Sequence, residues 1–188
     1  MKVTRDQMAE NRCRILDEAA RLFRERGFDG VTVSEIMTAA GLTHGAFYGH
    51  FSSKEDLIAQ AFAHVLVGGT GAVDSDSINL ADYAKLYLSE KHRDKPGSGC
   101  LFSALGTEAV RTSAPVRPAM TASIRRQIEM FSRTAPGQTP AARRRAAIAG
   151  WSAMVGALIL ARIADDPALS EELLSETRAF LGDVPADS

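Results

Sequence analysis

Residues 32–54, TVSEIMTAAGLTHGAFYGHFSSK, constrain the fold more than any other stretch of this 188-residue chain. Thr32 and Glu35 are spaced as a capping box, in which the hydroxyl accepts a first-turn N–H and the carboxylate reaches back to the capping residue. Ile36, Ala39 and Ala40 follow at helical spacing. Gly41 stands where a helix end needs a left-handed residue, a conformation glycine adopts at no steric cost. Leu42 is an apolar turn residue, and Thr43 is a candidate cap for the next helix. Two helices joined by a short glycine-containing turn make a helix-turn-helix.

The second helix of the pair, predicted over residues 43–50, is poorly built as a helix. Gly45 and Gly49 each cost roughly 1 kcal/mol relative to alanine. One turn apart, they leave a stripe where backbone can approach another molecule closely. Ser52 and Glu55 predict a further capping box. Lys54 then falls in a first turn, where a cation opposes the helix dipole but, beside free N–H groups, suits a phosphate. Local rules broken together in this way mark a functional site.

The run from Thr32 to Leu57 resembles the DNA-binding head of the TetR family of bacterial transcriptional repressors. The matching features are the helix-turn-helix, the Gly41-Leu42-Thr43 turn, Tyr48-x-His50-Phe51 and Lys54-x-x-Leu57. The resemblance is close over residues 10–62 and beyond them rests on length and an all-helical pattern. It implies that residues 43–50 enter the major groove, with Tyr48, His50, Lys54 and Thr43 on phosphates, where contacts set register without reading sequence. It places His44, Gly45 and Ala46 at base edges, His44 toward a guanine acceptor and Ala46 toward a thymine methyl, and Ser34 near backbone or base. It further implies a homodimer on a palindromic operator whose half-site spacing matches the two recognition helices. A small-molecule inducer would release it, ligand and DNA weakening each other's binding by the same factor. A transcriptional activator of the same fold, or a reactive-electrophile or redox sensor acting through Cys100, are the alternatives. The implied location is the bacterial cytoplasm, on the nucleoid.

Bulk charge does not announce a nucleic-acid partner: formal net charge is −1, and residues 1–66 carry eight Lys and Arg against nine Asp and Glu. What counts is whether the bases share a face. A hydrophobic content of 45% supports a globular core. Cys13 and Cys100 provide no disulfide framework; Cys13 is expected to pack, and Cys100 to sit at a helix start as a small apolar residue. No basic and apolar leader opens the chain, so secretion is not expected. No nucleophile–base pair, metal-ligand cluster or phosphate-binding glycine loop is legible, which argues against an enzyme, a metal or a cofactor.

Taken in order, residues 1–9 read as a frayed arm and 10–27 as a first helix, with Ile15, Leu16, Ala19, Leu22 and Phe23 forming its apolar stripe. Arg12, Arg14, Arg21, Arg24 and Arg26 fall on the solvated side, Gly27 ends the helix, and Phe28 and Val31 lock the next loop. A helix continues to about residue 67. Gly68 to Gly71 and Asp74 to Ser77 then mark a boundary between a helix-turn-helix DNA-binding domain, 1–67, and a ligand-binding and dimerisation domain, 68–188. Helices follow near residues 80–87, from Cys100 to about Ser113 after a His92 to Gly99 loop, from Ser113-Ala114-Pro115 onward, over 141–162 and over 167–182. The fold class is all-α, with about nine helices. Ala146 to Ala161 is almost wholly apolar, but sixteen such residues fall short of the roughly 20 needed to span a bilayer. Its small residues, Ala149, Ala153, Ala157 and Ala161 beside Gly150 and Gly156, suit close packing, so the last two helices are expected to form a four-helix bundle with a second copy. Tyr83, Tyr87, Cys100, Phe102, Met120, Phe131, Trp151 and Met154 are the candidate ligand-binding residues.

Overall fold

Helix α1 begins because Thr4, in extended conformation, accepts the Gln7 N–H on its hydroxyl at 3.2 Å. The structure, a computed structural model, describes residues 4–68, 79–111 and 116–182. Helix α1 spans Arg5–Arg26 and stops at Gly27, whose φ of 74° lets its N–H donate to the Phe23 carbonyl at 2.8 Å. The expected frayed arm is therefore helical from Arg5 onward, and Lys2 lies outside the described residues. The predicted apolar stripe is buried as one face, and Phe28 and Val31 close over it. Cys13 does not pack; it is exposed.

After α1 come α2 (Val33–Ala39), a 3₁₀ turn (His44–Gly49), α3 (Lys54–Gly68), α4 (Leu80–Tyr87), α5 (Glu90–Asp94), a short 3₁₀ turn (Pro96–Ser98), α6 (Leu101–Ala109), α7 (Val116–Thr134), α8 (Pro140–Ile163) and α9 (Pro167–Gly182). The fold is all-α, with no strand among the described residues. Two expectations change. The His92 to Gly99 loop is two short helical turns, because Ser89 caps α5 and Pro96 presets the backbone of the next. Helix α6 ends at Ala109, short of Ser113. The loop after Gly68 and the helix start at Ser113 to Pro115 fall outside the described residues.

Two hydrophobic cores result. The first joins α1, α2, the recognition turn and α3 to Leu101, Leu105 and Ala109 of α6 and to Val116 and Met120 of α7. The second packs Tyr87, Phe131, Trp151, Met154 and Leu158 between α4, α7, α8 and α9. Helix α6 and the start of α7 thus complete the core of the N-terminal three-helix unit. Gly150 lets α8 approach α4 and α9 closely: a Cβ there would lie 2.3 Å from Leu80 Cδ2 and 3.3 Å from Leu181 Cδ2. Helix α8 contains an 18-residue window with a mean hydropathy of 1.7 and passes, by length and composition only, as long and apolar enough to cross a membrane, where its apolar run was expected to fall short. It packs between α7 and α9.

Candidate nucleic-acid interface

The corner between α2 and the recognition turn is built almost wholly from local rules. Thr32 Oγ1 accepts the Glu35 N–H at 3.2 Å and Glu35 Oε2 accepts the Thr32 N–H at 2.8 Å, completing the capping box. Those bonds, with Arg26 alongside, hold the Glu35 carboxyl down at about 2. At the other end Leu42 N–H reaches the Met37 carbonyl at 2.8 Å and Gly41 N–H reaches Thr38 at 3.0 Å, the paired bonds of a Schellman end. Gly41, at φ 70°, supplies the left-handed residue that end requires.

The recognition element itself is a 3₁₀ helix, His44–Gly49, and not the α-helix expected over residues 43–50. Gly45 and Gly49 withhold the propensity that would sustain α geometry, and the i→i+3 bonds Ala46 to Thr43 and His50 to Phe47 replace it. Thr43 occupies the capping position, yet its side chain makes no capping bond. Phe47 is 1% exposed and neighbouring Tyr48 72% exposed, so the turn sets one aromatic into the core and the next into solvent. Thr43, His44, Gly45 and Tyr48 share the exposed side; Ala46 and His50 are half-buried, and Ser34 is exposed on α2. A Cβ at Gly45 or Gly49 would meet nothing within 4 Å. Neither glycine is needed by this chain's own packing, which leaves their bareness to an approaching molecule.

Arg12, expected on the solvated side of α1, is turned inward. Its guanidinium lies 4.6 Å from the Phe51 ring centroid and donates to the His50 carbonyl at 2.6 Å and to Gln60. Gln60 in turn donates to Asp56 at 2.6 Å, and Asp56 accepts from the Ser52 N–H at 2.9 Å. This chain of bonds fastens the end of the recognition turn to α1 and α3. Burial, then the Arg12 charge, pushes the His50 imidazole below its usual pKa. The second capping box expected from Ser52 and Glu55 does not form: Ser53 accepts the Asp56 N–H at 3.1 Å, while the Asp56 carboxylate takes the Ser52 N–H at 2.9 Å. Lys54 donates from Nζ to the Phe28 carbonyl at 2.6 Å. Neither Arg12 nor Glu108, whose carboxylate holds the Phe28 N–H at 2.8 Å, is marked by any motif, because their partners lie 38 and 80 residues away.

Of the candidate ligand residues, Tyr83, Tyr87, Cys100, Phe102, Phe131, Trp151 and Met154 all lie in or against the second core, whereas Met120 lies in the first. Tyr83 stands 4.9 Å from Phe131, and Phe102 5.2 Å from Trp151, by ring centroids. Burial raises Tyr83 to about 12 and Tyr87 further. The Tyr87 hydroxyl is buried without a hydrogen bond. A separate groove of about 670 Å³, lined by Leu80, Thr134, Pro136, Arg145, Gly150 and Phe180 among others, contains none of these candidates.

His92 closes this region. Its Nδ1 donates to the Tyr87 carbonyl at 2.6 Å and its Nε2 accepts the Cys100 N–H at 2.8 Å, so the ring is neutral with its tautomer set by both neighbours. Burial lowers its pKa, the Tyr87 bond opposing and Arg162 adding to the shift. The unfolded chain takes this proton near pH 6.5 and the folded chain only lower. Its contribution to stability is therefore full above that pH and is lost as pH falls toward the folded value. The expected result is a denaturation midpoint that declines below about pH 6.5 and declines less in His92→Gln; equal slopes in the two proteins would refute it.

Residues 15–61 match the family model of bacterial regulatory proteins, tetR family. The HTH-type transcriptional regulator AcrR of Shigella flexneri is 44% identical over 57 residues, 30% of this chain and 26% of AcrR. The HTH-type transcriptional repressor KstR2 of Rhodococcus jostii is 49% identical over 47 residues, 25% of this chain and 23% of KstR2. The matched stretch thus spans about a quarter of the length of these relatives. The reduced form of E. coli NemR has the same fold, with a TM-score of 0.73 at 24% identity over 93% of this chain and 96% of that one.

Proposed function

We propose that this chain, whose residues 15–61 match the family model of bacterial regulatory proteins, tetR family, is a member of that family and a sequence-specific transcriptional repressor released from its operator by a small molecule. The observation that carries this reading is the bare outer side of the recognition turn: Thr43 without a capping bond, Gly45 and Gly49 facing open space, and His44 and Tyr48 exposed. That side suits a major groove, with Thr43, Tyr48, His50 and Lys54 on phosphates and His44, Gly45 and Ala46 at base edges. Ser34 of α2 flanks it. In this reading the protein works in the bacterial cytoplasm.

A homodimer through α8 and α9 is supported by Leu160, Ile163, Leu169 and Phe180, which stay exposed; apolar side chains of this kind suit a second copy. Two recognition turns would then address half-sites about one helical turn, or a multiple of it, apart. The inducer would act in the second core, around Tyr83, Tyr87, Phe131 and Trp151.

Fluorescence anisotropy against DNA flanking the protein's own gene, with a random duplex as control and salt varied, tests the reading. Specific binding should exceed random binding by a factor of about 10³ or more, and Tyr48→Ala should weaken it roughly ten-fold by removing a phosphate donor. Equal affinity for every duplex, including any drawn from a random pool, would refute it.

A further inference from the structure

Phe28 is gripped at both ends of its backbone. Its N–H donates to Glu108 Oε2 of α6 at 2.8 Å, and its carbonyl accepts from Lys54 Nζ of α3 at 2.6 Å. Its ring is buried, edge-on to Phe23 at 5.4 Å and tilted against Phe62 at 5.6 Å, so the residue cannot yield at one end without moving at the other. Gly27 precedes it at φ 74°, and a Cβ there would lie 2.8 Å from Glu108 Oε1. The carboxylate fits against this loop because position 27 is glycine.

The other end of α6 is tied into the second core. Cys100, its capping residue, donates to His92, and Ser103 accepts from Arg162 Nη1 at 3.2 Å. Helix α6 therefore runs from the aromatic cluster to the loop that anchors Lys54. Lys54 spends one of its three donors on Phe28, which leaves two for a phosphate.

We propose that Glu108 is a positioning residue for DNA binding: by holding the Phe28 N–H it sets the Lys54 ammonium through the Phe28 carbonyl, so the placement of α6 governs a phosphate contact on the far side of the N-terminal unit. This rests on the DNA-binding reading above. Both bonds involve a full charge and are the strong kind. They lie on successive peptide units joined through one Cα, so the coupling is positional. A ligand that draws α6 away would release Phe28 at the permissive Gly27 and unseat Lys54.

The test uses the full chain, an operator duplex selected from a random pool, and anisotropy titrations at several salt concentrations. Glu108→Ala and Lys54→Met should each weaken binding roughly ten-fold and each lower the slope of log K against log salt by about one. The double variant should be no weaker than either single one, since both remove the same contact. Glu108→Gln, whose amide oxygen still accepts from Phe28, should retain most of the affinity. Gly27→Ala, which crowds Glu108 from the opposite side, should reproduce the loss of slope if Glu108→Ala folds poorly. Losses that multiply in the double variant, or an unchanged salt slope in both Glu108→Ala and Gly27→Ala, would overturn the proposal, because a merely structural Glu108 leaves the ion count untouched. A wild-type chain that prefers no duplex would overturn the DNA-binding reading, and the bridge with it.

Discussion

Replacing Phe47 with alanine should cost about 3–5 kcal/mol of stability and remove operator binding, the largest effect expected of any single substitution here. Phe47 is 1% exposed. Its ring packs 5.7 Å from Phe51 and 5.2 Å from Tyr48, and it is the sole side chain of the recognition turn buried in the first core. The turn is held by weak i→i+3 bonds and two of its six residues are glycine, so little else keeps it folded. Urea denaturation followed by circular dichroism, beside anisotropy on the same samples, measures both quantities. A loss below about 1 kcal/mol, far under the usual cost of a buried phenylalanine, would mean that the turn is fastened from outside, through Arg12 and its bond to the His50 carbonyl.

Arg162→Met should destabilise the chain by about 2–4 kcal/mol, most of it the cost of carbonyls left without donors. The guanidinium donates to the His92 carbonyl at 2.7 Å, to the Arg93 carbonyl at 3.1 Å and to Ser103 at 3.2 Å. Burial lowers its pKa. Methionine keeps the length and apolar stem and removes all three bonds, so volume is not the variable. The same substitution should speed amide exchange at His92 and Cys100, whose bonds to Ser89 and His92 depend on α5 being held against α8. A loss under about 0.5 kcal/mol, the range of an ordinary surface change, would show that solvent serves those carbonyls equally well. Because α6 begins at Cys100, loosening α5 should also blunt the coupling carried by Glu108, which makes Arg162 the distal end of the same mechanical line.

Capping and periodicity are local rules, and where they governed, the sequence was legible. The Thr32–Glu35 box, the Gly41 turn, the stripe of α1 and the bounds of α8 and α9 depend on residues within a turn or two of each other. The same rules misplaced the cap before α3 by one residue: Ser53 accepts the Asp56 N–H, and the Asp56 carboxylate, also held by Gln60, reaches back to Ser52 instead of Glu55 doing so. They also made an α-helix of the recognition turn. There the pattern permitted either geometry, and with Gly45 and Gly49 weakening the α form the i→i+3 bonds took its place.

By itself, then, the sequence determined an all-α chain with a helix-turn-helix at residues 32–54, because capping and turn signals follow from spacing along the backbone, whereas the residues facing DNA were implied by the family resemblance. The tertiary structure alone decided that Arg12 points inward, that α6 completes the first core, that Met120 parts company with the other ligand candidates, and that Glu108 and Lys54 meet at Phe28. Each of these joins elements tens of residues apart, and such contacts depend on the distances and rotations at which helices pack, quantities that no local pattern encodes.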